Sequence, residues 1–311
     1  MIDLEVKRVK DWIGEIDWIG STPFILMHLS VFLTFWTGVT PAAFAICIFG
    51  VFFRLFGITG GYHRYFSHRT YQTSRPFQFL LAMLGASSTQ MGPLWWAAKH
   101  RHHHRHSDQE PDIHSPIIDT FLWSHIGWIM ARPKEKLEDF FAKVPDISKY
   151  PELRWLDRNH NVAALLYLIG VMCAGYMIEL RMPQWHTTMA QVVVWGFFVS
   201  TVMLYHVTFS INSLTHLWGT RRYKTKDDSR NNFFLGVLIM GEGWHNNHHK
   251  YAGATRQGFY WWEIDVTYYI LKILSLFHIV WDMRPPPKQA FEKQPQEKEE
   301  SKAESETTAV H

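Results

Sequence analysis

The chain is predicted to be an all-α integral membrane protein with four transmembrane helices in two hairpins. Three observations carry this reading. Four long apolar runs fall into two pairs, each split by a short turn. The basic residues avoid those turns and crowd the segments between and after the pairs. Most of the 19 histidines gather in three short boxes, and two of the boxes repeat one helical spacing.

Taken in order, the start MIDLEVKRVKDW mixes acidic and basic residues before a late apolar run. It does not read as a cleavable signal peptide, and residues 1–22 are expected to be an N-terminal cytosolic segment. Residues 24–39 and 41–58 are apolar runs divided by Thr40-Pro41, a tight turn. Each is near the lower limit for a bilayer span, about 17 residues. The stretch 76–92 is apolar but broken by Gln and Gly, which suits a buried or interfacial helix better than a span. The second pair follows at about 161–180 and 189–211. Arg54 inside the second run is expected to snorkel or to pair near the metal end. From Pro285 onward the chain is rich in Pro, Glu, Lys and Gln, and 285–311 reads as a disordered polar tail.

Orientation follows from Lys and Arg near the span ends. The first turn has neither, and the turn at 181–188 has only Arg181. The long segments 62–160 and after 212 should therefore face the cytoplasm, which puts all three histidine boxes on one side. A net charge of +3 gives no support to a nucleic-acid role. Cys47 and Cys173 sit in apolar runs and form no metal or disulfide motif. Electrons used by this protein must therefore come from outside.

The boxes are HRYFSH from His63, HRHHHRH from His100 and HNNHH from His245. Offsets of i, i+3 and i+4 put His100, His103 and His104 on one helical face, and His245, His248 and His249 on another. Neutral imidazole keeps a free lone pair and is the commonest metal ligand near pH 7. Three such clusters argue for more than one ion. His102 points off the first face, and His106 reads as a surface or supporting group. His63 and His68 lie roughly 140° apart on an α-helix. Each should reach a different ion, or the helix should end between them. In NSLTH, Asn212 and His216 are one turn apart at the end of the last span, so His216 is a ninth candidate and Asn212 could hold a bound water. His28 and His206 lie in apolar runs without an evident partner. His114, His125, His160, His186, His278 and His311 are isolated in sequence and are expected to bind no metal for the most part. Structural zinc would need four ligands and would recruit cysteine. Ligand type alone leaves iron, copper, nickel and zinc open.

HRYFSH, HRHHHRHSD, NSLTH and GEGWHNNHH resemble the histidine boxes of the membrane fatty acid desaturases, most closely the acyl-CoA/acyl-lipid delta-9 branch. The likeness runs from GITGGYHRYFSHRTY at Gly57, through PDIHSP and SHIGW, to about Asp282. It implies a desaturase domain over 23–284, with the spans capped by a cytosolic helical region holding a non-haem di-iron site. It also implies two irons held by His63, His68, His100, His103, His104, His216, His245, His248 and His249, with Asn212 acting through a water. The implied activity is cis double-bond insertion into a long-chain acyl-CoA or acyl-lipid, with O2 and two electrons. Those electrons would come from a separate ferredoxin, rubredoxin or cytochrome b5 type donor with its reductase. Gln90, Trp128 and Arg132 match residues lining the substrate path of the acyl-CoA enzymes. Ala98 and Lys99 depart from the Arg-Asp pair those enzymes carry. Trp95, Trp96, Thr208 and Phe209 are placed near the bend of the acyl chain, although each could equally be core packing.

Two rivals remain at this stage. A membrane di-iron hydroxylase of alkanes, carotenoids or sterols has similar boxes and differs in yielding an alcohol. A histidine-rich metal transporter or sensor would carry polar ligands in mid-membrane, whereas these boxes lie at or beyond the span ends.

Overall fold

A computed structural model describes residues 14–133 and 135–292. The expected cytosolic start and polar tail fall largely outside them. Eight principal helices organise the described chain: α1, Thr22–Thr37; α2, Pro41–Ser67; α3, Arg75–Ala86; α4, Pro93–His106; α5, Asn161–Arg181; α6, Met189–His216; α7, His245–Lys250; and α8, Val266–Leu276. Shorter helices at Leu137–Lys143, Pro151–Arg158 and Phe233–Leu238 fill the connections. One two-stranded antiparallel sheet pairs Gln72 with Trp281 and Thr73 with Val280.

Among the described residues three helices are long and apolar enough to cross a membrane: α2, α5 and α6. The first predicted span forms only the shorter α1. At 16 residues it reaches about 24 Å, against about 30 Å of hydrocarbon. Burial separates the long helices. Only 22% of the α5 window is buried, against 56% for α2 and 61% for α6, so α5 lies at the rim while α2 and α6 pack in the middle. Both turns meet at one end of the bundle. Gln191 and Trp195 donate to the carbonyls of Thr37 and Gly38 at 2.9 Å each, and the Thr40 and Thr187 hydroxyls are 2.8 Å apart.

Local chemistry explains where the helices begin. Pro41 opens α2 behind a Thr40 cap, whose hydroxyl accepts from the Ala43 amide at 3.3 Å. Helix α4 starts at Pro93 with Gly92 before it and no side-chain cap of its own. Instead the Asp157 carboxylate, 63 residues away, accepts from Leu94 N at 2.8 Å. A β-carbon at Gly57 would sit 2.6 Å from the Gly85 amide nitrogen, so α2 and α3 touch there only because that position is glycine. Their shared core continues through Ile58, Tyr62, Phe66, Leu81, Leu94 and Ala97.

Arg54 neither snorkels nor reaches the metal end. It is fully buried, bonded to Gly50 O at 3.0 Å, Thr201 Oγ1 at 2.8 Å and Ser200 Oγ at 2.6 Å, and it lies over the Tyr167 ring. The bundle interior offers neutral oxygens and an aromatic face to the guanidinium, which turns inward.

Candidate metal centre

The second half of α2, Gly57–Ser67, is wound as a π-helix, with hydrogen bonds reaching one residue further than in an α-helix. Ser67 Oγ bonds back to Tyr62 O at 2.8 Å, and the His68 amide to His63 O at 3.2 Å. The wider turn returns residue i+5 over residue i. His63 and His68 therefore sit side by side, ring centroids 4.9 Å apart, with the helix ending just before His68. The expectation that they reach different ions fails because it assumed α-helical winding. The alternative, that the helix ends between them, holds.

Nine imidazoles converge in two neighbouring groups. One contains His63, His68, His100, His104 and His248; the other contains His103, His216, His245 and His249. Within each group the donor atoms lie within 4.8 Å of one another. That is the size of one coordination sphere, in which opposed imidazoles are about 4.2 Å apart. Helix α4 serves both groups, since His100 and His104 face one and His103 the other. Helix α7 does the same with His248 against His245 and His249.

The protons on these rings are set from behind. His103 Nδ1 lies 3.0 Å from Asp112, His216 Nδ1 2.8 Å from Asp108, and His249 Nδ1 2.8 Å from Asp227. His63 Nδ1 is 2.6 Å from Glu242. A carboxylate partner holds the proton on Nδ1 and turns the Nε2 lone pair inward. Gln257 lies between His63 and His248, with its Nε2 3.3 and 3.4 Å from their Nδ1 atoms, while its oxygen has no partner. Rotating that amide by half a turn would aim the oxygen at the His248 N–H, the His63 proton being held by Glu242.

Electrostatics favours neutral ligands. Burial, then the neighbouring imidazoles, pushes His68, His100, His104, His245 and His248 well below the ordinary histidine range. His249 falls to about 4, because burial outweighs the pull of Asp227. His103 moves the other way. Burial lowers it, but the charge and hydrogen bond of Asp112 prevail. Asp227 is held well below the carboxylate range, since burial opposes ionisation and the His249 contact overcomes it.

These residues fit a pair of metal ions. Nε2 atoms stand 2.8 Å apart in His68–His100, 2.9 Å in His104–His248 and 3.0 Å in His63–His248. His216 and His245 are 3.1 Å apart at Nε2, with the His216 proton already committed to Asp108. His249 Nε2 is buried with no hydrogen-bond partner at all. Ring nitrogens crowded this closely in groups of five and four, four of them on rings whose Nδ1 faces a carboxylate, suit cations. Substitution tests the face assignment. His100→Ala should abolish activity, whereas His102→Ala, whose exposed ring donates to Pro111 O at 2.7 Å, should keep most of it. Equal losses in a product assay would refute the assignment.

The other predicted residues lie around this centre. Asn212 sits one turn before His216, and its carbonyl accepts from Ser124 at 3.1 Å. Gln90 donates to Thr208 at 3.2 Å and is flanked by Thr89 and Met91, both with positive φ. Trp95 stacks on Trp128, and Trp96 stacks on His100. Phe209 is buried against Tyr205. Arg132 is exposed beside a shallow groove that it forms with Gly14, Glu15 and Pro133. Ala98 is buried, and Lys99 Nζ lies 3.8 Å from Glu135.

Several residues escaped sequence reasoning. Asp108, Asp112, Asp227 and Glu242 carried a weak signal: Asp108 and Glu242 adjoin boxes in HRHSD and GEG, while Asp112 in PDIHSP and Asp227 in KDD lie in loops. His114 is not isolated: its ring lies 4.5 Å from that of His103. His206, expected to lack a partner, meets His125 at 3.1 Å. His28 bonds through Nδ1 to the backbone carbonyl of Phe24 at 2.8 Å.

Fold and site together define a helical membrane protein with adjacent histidine groups able to hold metal. A family model described as fatty acid desaturase matches residues 37–273. Over 277 residues the chain is 34% identical to the sn-1 stearoyl-lipid 9-desaturase of Anabaena variabilis, covering 87% of this chain and 94% of that protein. It is 34% identical over 269 residues to the sn-2 palmitoyl-lipid 9-desaturase of a Nostoc species, covering 84% and 88%. It is 35% identical over 260 residues to the acyl-CoA C20 Delta5-desaturase of Anemone leveillei, covering 81% and 74%. The chain belongs to the fatty acid desaturase family, and so to the oxidoreductases.

Proposed function

We propose that this protein inserts a cis double bond at the delta-9 position of a long saturated acyl chain, consuming O2, two protons and two electrons from an external donor and releasing two waters. The observation that carries this reading is the convergence of nine imidazoles into two metal-sized groups. Two irons bound by the nine histidines, with a water at Asn212, would supply the O2-dependent oxidation of unactivated C–H bonds. No acid–base side chain can remove hydrogen from adjacent methylenes, so the protein's own share is binding, orientation and exclusion of water.

In this reading Gln90, Thr208, Trp95, Trp96 and Phe209 shape the acyl path beside the metal groups. Non-glycine residues with positive φ on both sides of Gln90 fit a strained, functional segment. Trp128 Nε1 is buried and unpartnered, a donor free for a substrate oxygen. Arg132 lies on the solvent side, and its guanidinium suits a phosphate-bearing head group. These features favour acyl-CoA as the carrier. The similarity to two acyl-lipid desaturases supports a second reading, in which the chain is already esterified in a membrane lipid.

We further read α1 as a fourth span. The meeting of both turns at one end of the bundle supports two hairpins, and the distribution of Lys and Arg supports a cytoplasmic side for the histidine boxes.

The test is expression in a host unable to make unsaturated fatty acids, followed by gas chromatography of its lipids. A delta-9 cis alkene is expected; an alcohol product would assign the protein to the hydroxylases. Purified protein with a donor system should then desaturate stearoyl-CoA in solution. Desaturation confined to chains in phospholipid vesicles would overturn the acyl-CoA carrier.

A further inference from the structure

We propose that the loop 221–228, together with Lys250, is the docking surface for an acidic one-electron carrier protein of the [2Fe–2S] ferredoxin type. The inference rests on the metal reading above.

Four carboxylates stand behind the metal-facing imidazoles, and they differ in depth. Side-chain exposure is 1% for Glu242, 0% for Asp112, 5% for Asp108 and 10% for Asp227. Asp227 is thus the nearest to solvent, and one hydrogen bond of 2.8 Å joins it to His249. The same loop touches a second member of the four-histidine group indirectly. The Asp228 amide donates to Asp108 Oδ2 at 2.8 Å, the atom that also holds His216. Two of the four imidazoles in that group therefore lead, by one or two hydrogen bonds, to this loop.

The surface around that point is basic. The loop reads RRYKTKDD, with Arg221, Lys224 and Lys226 exposed, and Lys250 follows directly on His249. Lys250 Nζ lies 3.4 Å from the Lys224 carbonyl, so the two segments form one patch. Its acids are already engaged: Asp227 on His249, and Asp228 with Arg221 at 3.2 Å. Among the described residues no carboxylate pairs with Lys224, Lys226 or Lys250. Arg221 also donates to the Asp227 carbonyl at 2.8 Å, which holds the loop in shape. A cluster of uncompensated cations over a hydrogen-bonded route to the four-histidine group steers an anionic partner and orients its redox group toward that route.

The test uses the full-length, iron-loaded protein and a reduced acidic [2Fe–2S] ferredoxin, with ferredoxin oxidation followed by stopped-flow absorbance. Lys224→Glu, Lys226→Glu and Lys250→Glu combined should lower the second-order rate at least about tenfold at low salt, and the deficit should close near 1 M salt, where the Debye length is about 3 Å. Binding of ferredoxin to the metal-free chain, measured by calorimetry, should weaken in parallel. Neutral Lys→Gln versions should fall between, which covers poor folding of the reversed triple variant. Dithionite at high salt should reduce both proteins equally. An unchanged ferredoxin rate in the variant, with dithionite reduction intact, overturns the docking inference alone. Failure of dithionite to reduce the wild-type centre overturns the metal reading, and the docking inference with it.

Discussion

His248→Ala is expected to lower activity more than about a hundredfold, beyond the roughly 10–100-fold cost of losing an outer partner of a metal ligand. It should also reduce bound metal from two ions to about one per chain. His248 is the hub of the five-histidine group. Its Nε2 lies 3.0 Å from that of His63 and 2.9 Å from that of His104. The fold should survive, because α7 is anchored by its asparagines. Asn246 Oδ1 accepts from the amides of Arg222 and Tyr223 at 2.8 and 2.7 Å. Asn247 bonds to Gln257 O at 2.9 Å and Glu263 at 3.0 Å. Product chromatography, elemental analysis and circular dichroism of one preparation test all parts. A variant that retains two metals and full activity would refute the five-histidine assignment.

The largest effect on stability is expected at Arg64. Its guanidinium lies 3.0 Å from Glu242 and 2.9 Å from Asp265, all three being buried, and it also donates to Thr255 O at 2.8 Å. The same Glu242 orients His63. Arg64→Leu would leave two buried carboxylates without their cation, a loss of about 3–5 kcal/mol. It should appear as a marked drop in the temperature at which detergent-solubilised protein loses its monodisperse peak. Adding Glu242→Gln and Asp265→Asn should recover part of the loss, because uncompensated charge rather than lost packing causes it. An unchanged transition in Arg64→Leu would show that the carboxylates find compensation elsewhere.

Much of the site was legible in the sequence because its signals are local. Offsets of three and four residues on α4 and α7 select His100, His103, His104, His245, His248 and His249 without any knowledge of the fold. A polar Asn212–His216 turn at the end of a span marked the ninth histidine. What sequence reasoning missed lies in contacts between distant segments. Arg64 and Glu242 are 178 residues apart in sequence, and His125 and His206 are 81 apart. Acids such as Asp108 and Asp227 look like ordinary loop residues until the fold sets them behind His216 and His249.

By itself the sequence determined the family, the long apolar helices and the nine histidines, since residue type and helical period carry that information within a few turns. Only the tertiary structure decided that the nine divide five and four, and that His63 and His68 share one group. That sharing depends on π-helical winding of Gly57–Ser67, where close packing of α2 on α3 at Gly57 accompanies a wider turn. Tertiary structure also decided which nitrogen of His103, His216 and His249 faces inward, because the carboxylates that hold their protons arrive from other parts of the chain. A ligand's identity is a local property, whereas its orientation and tautomer belong to its surroundings.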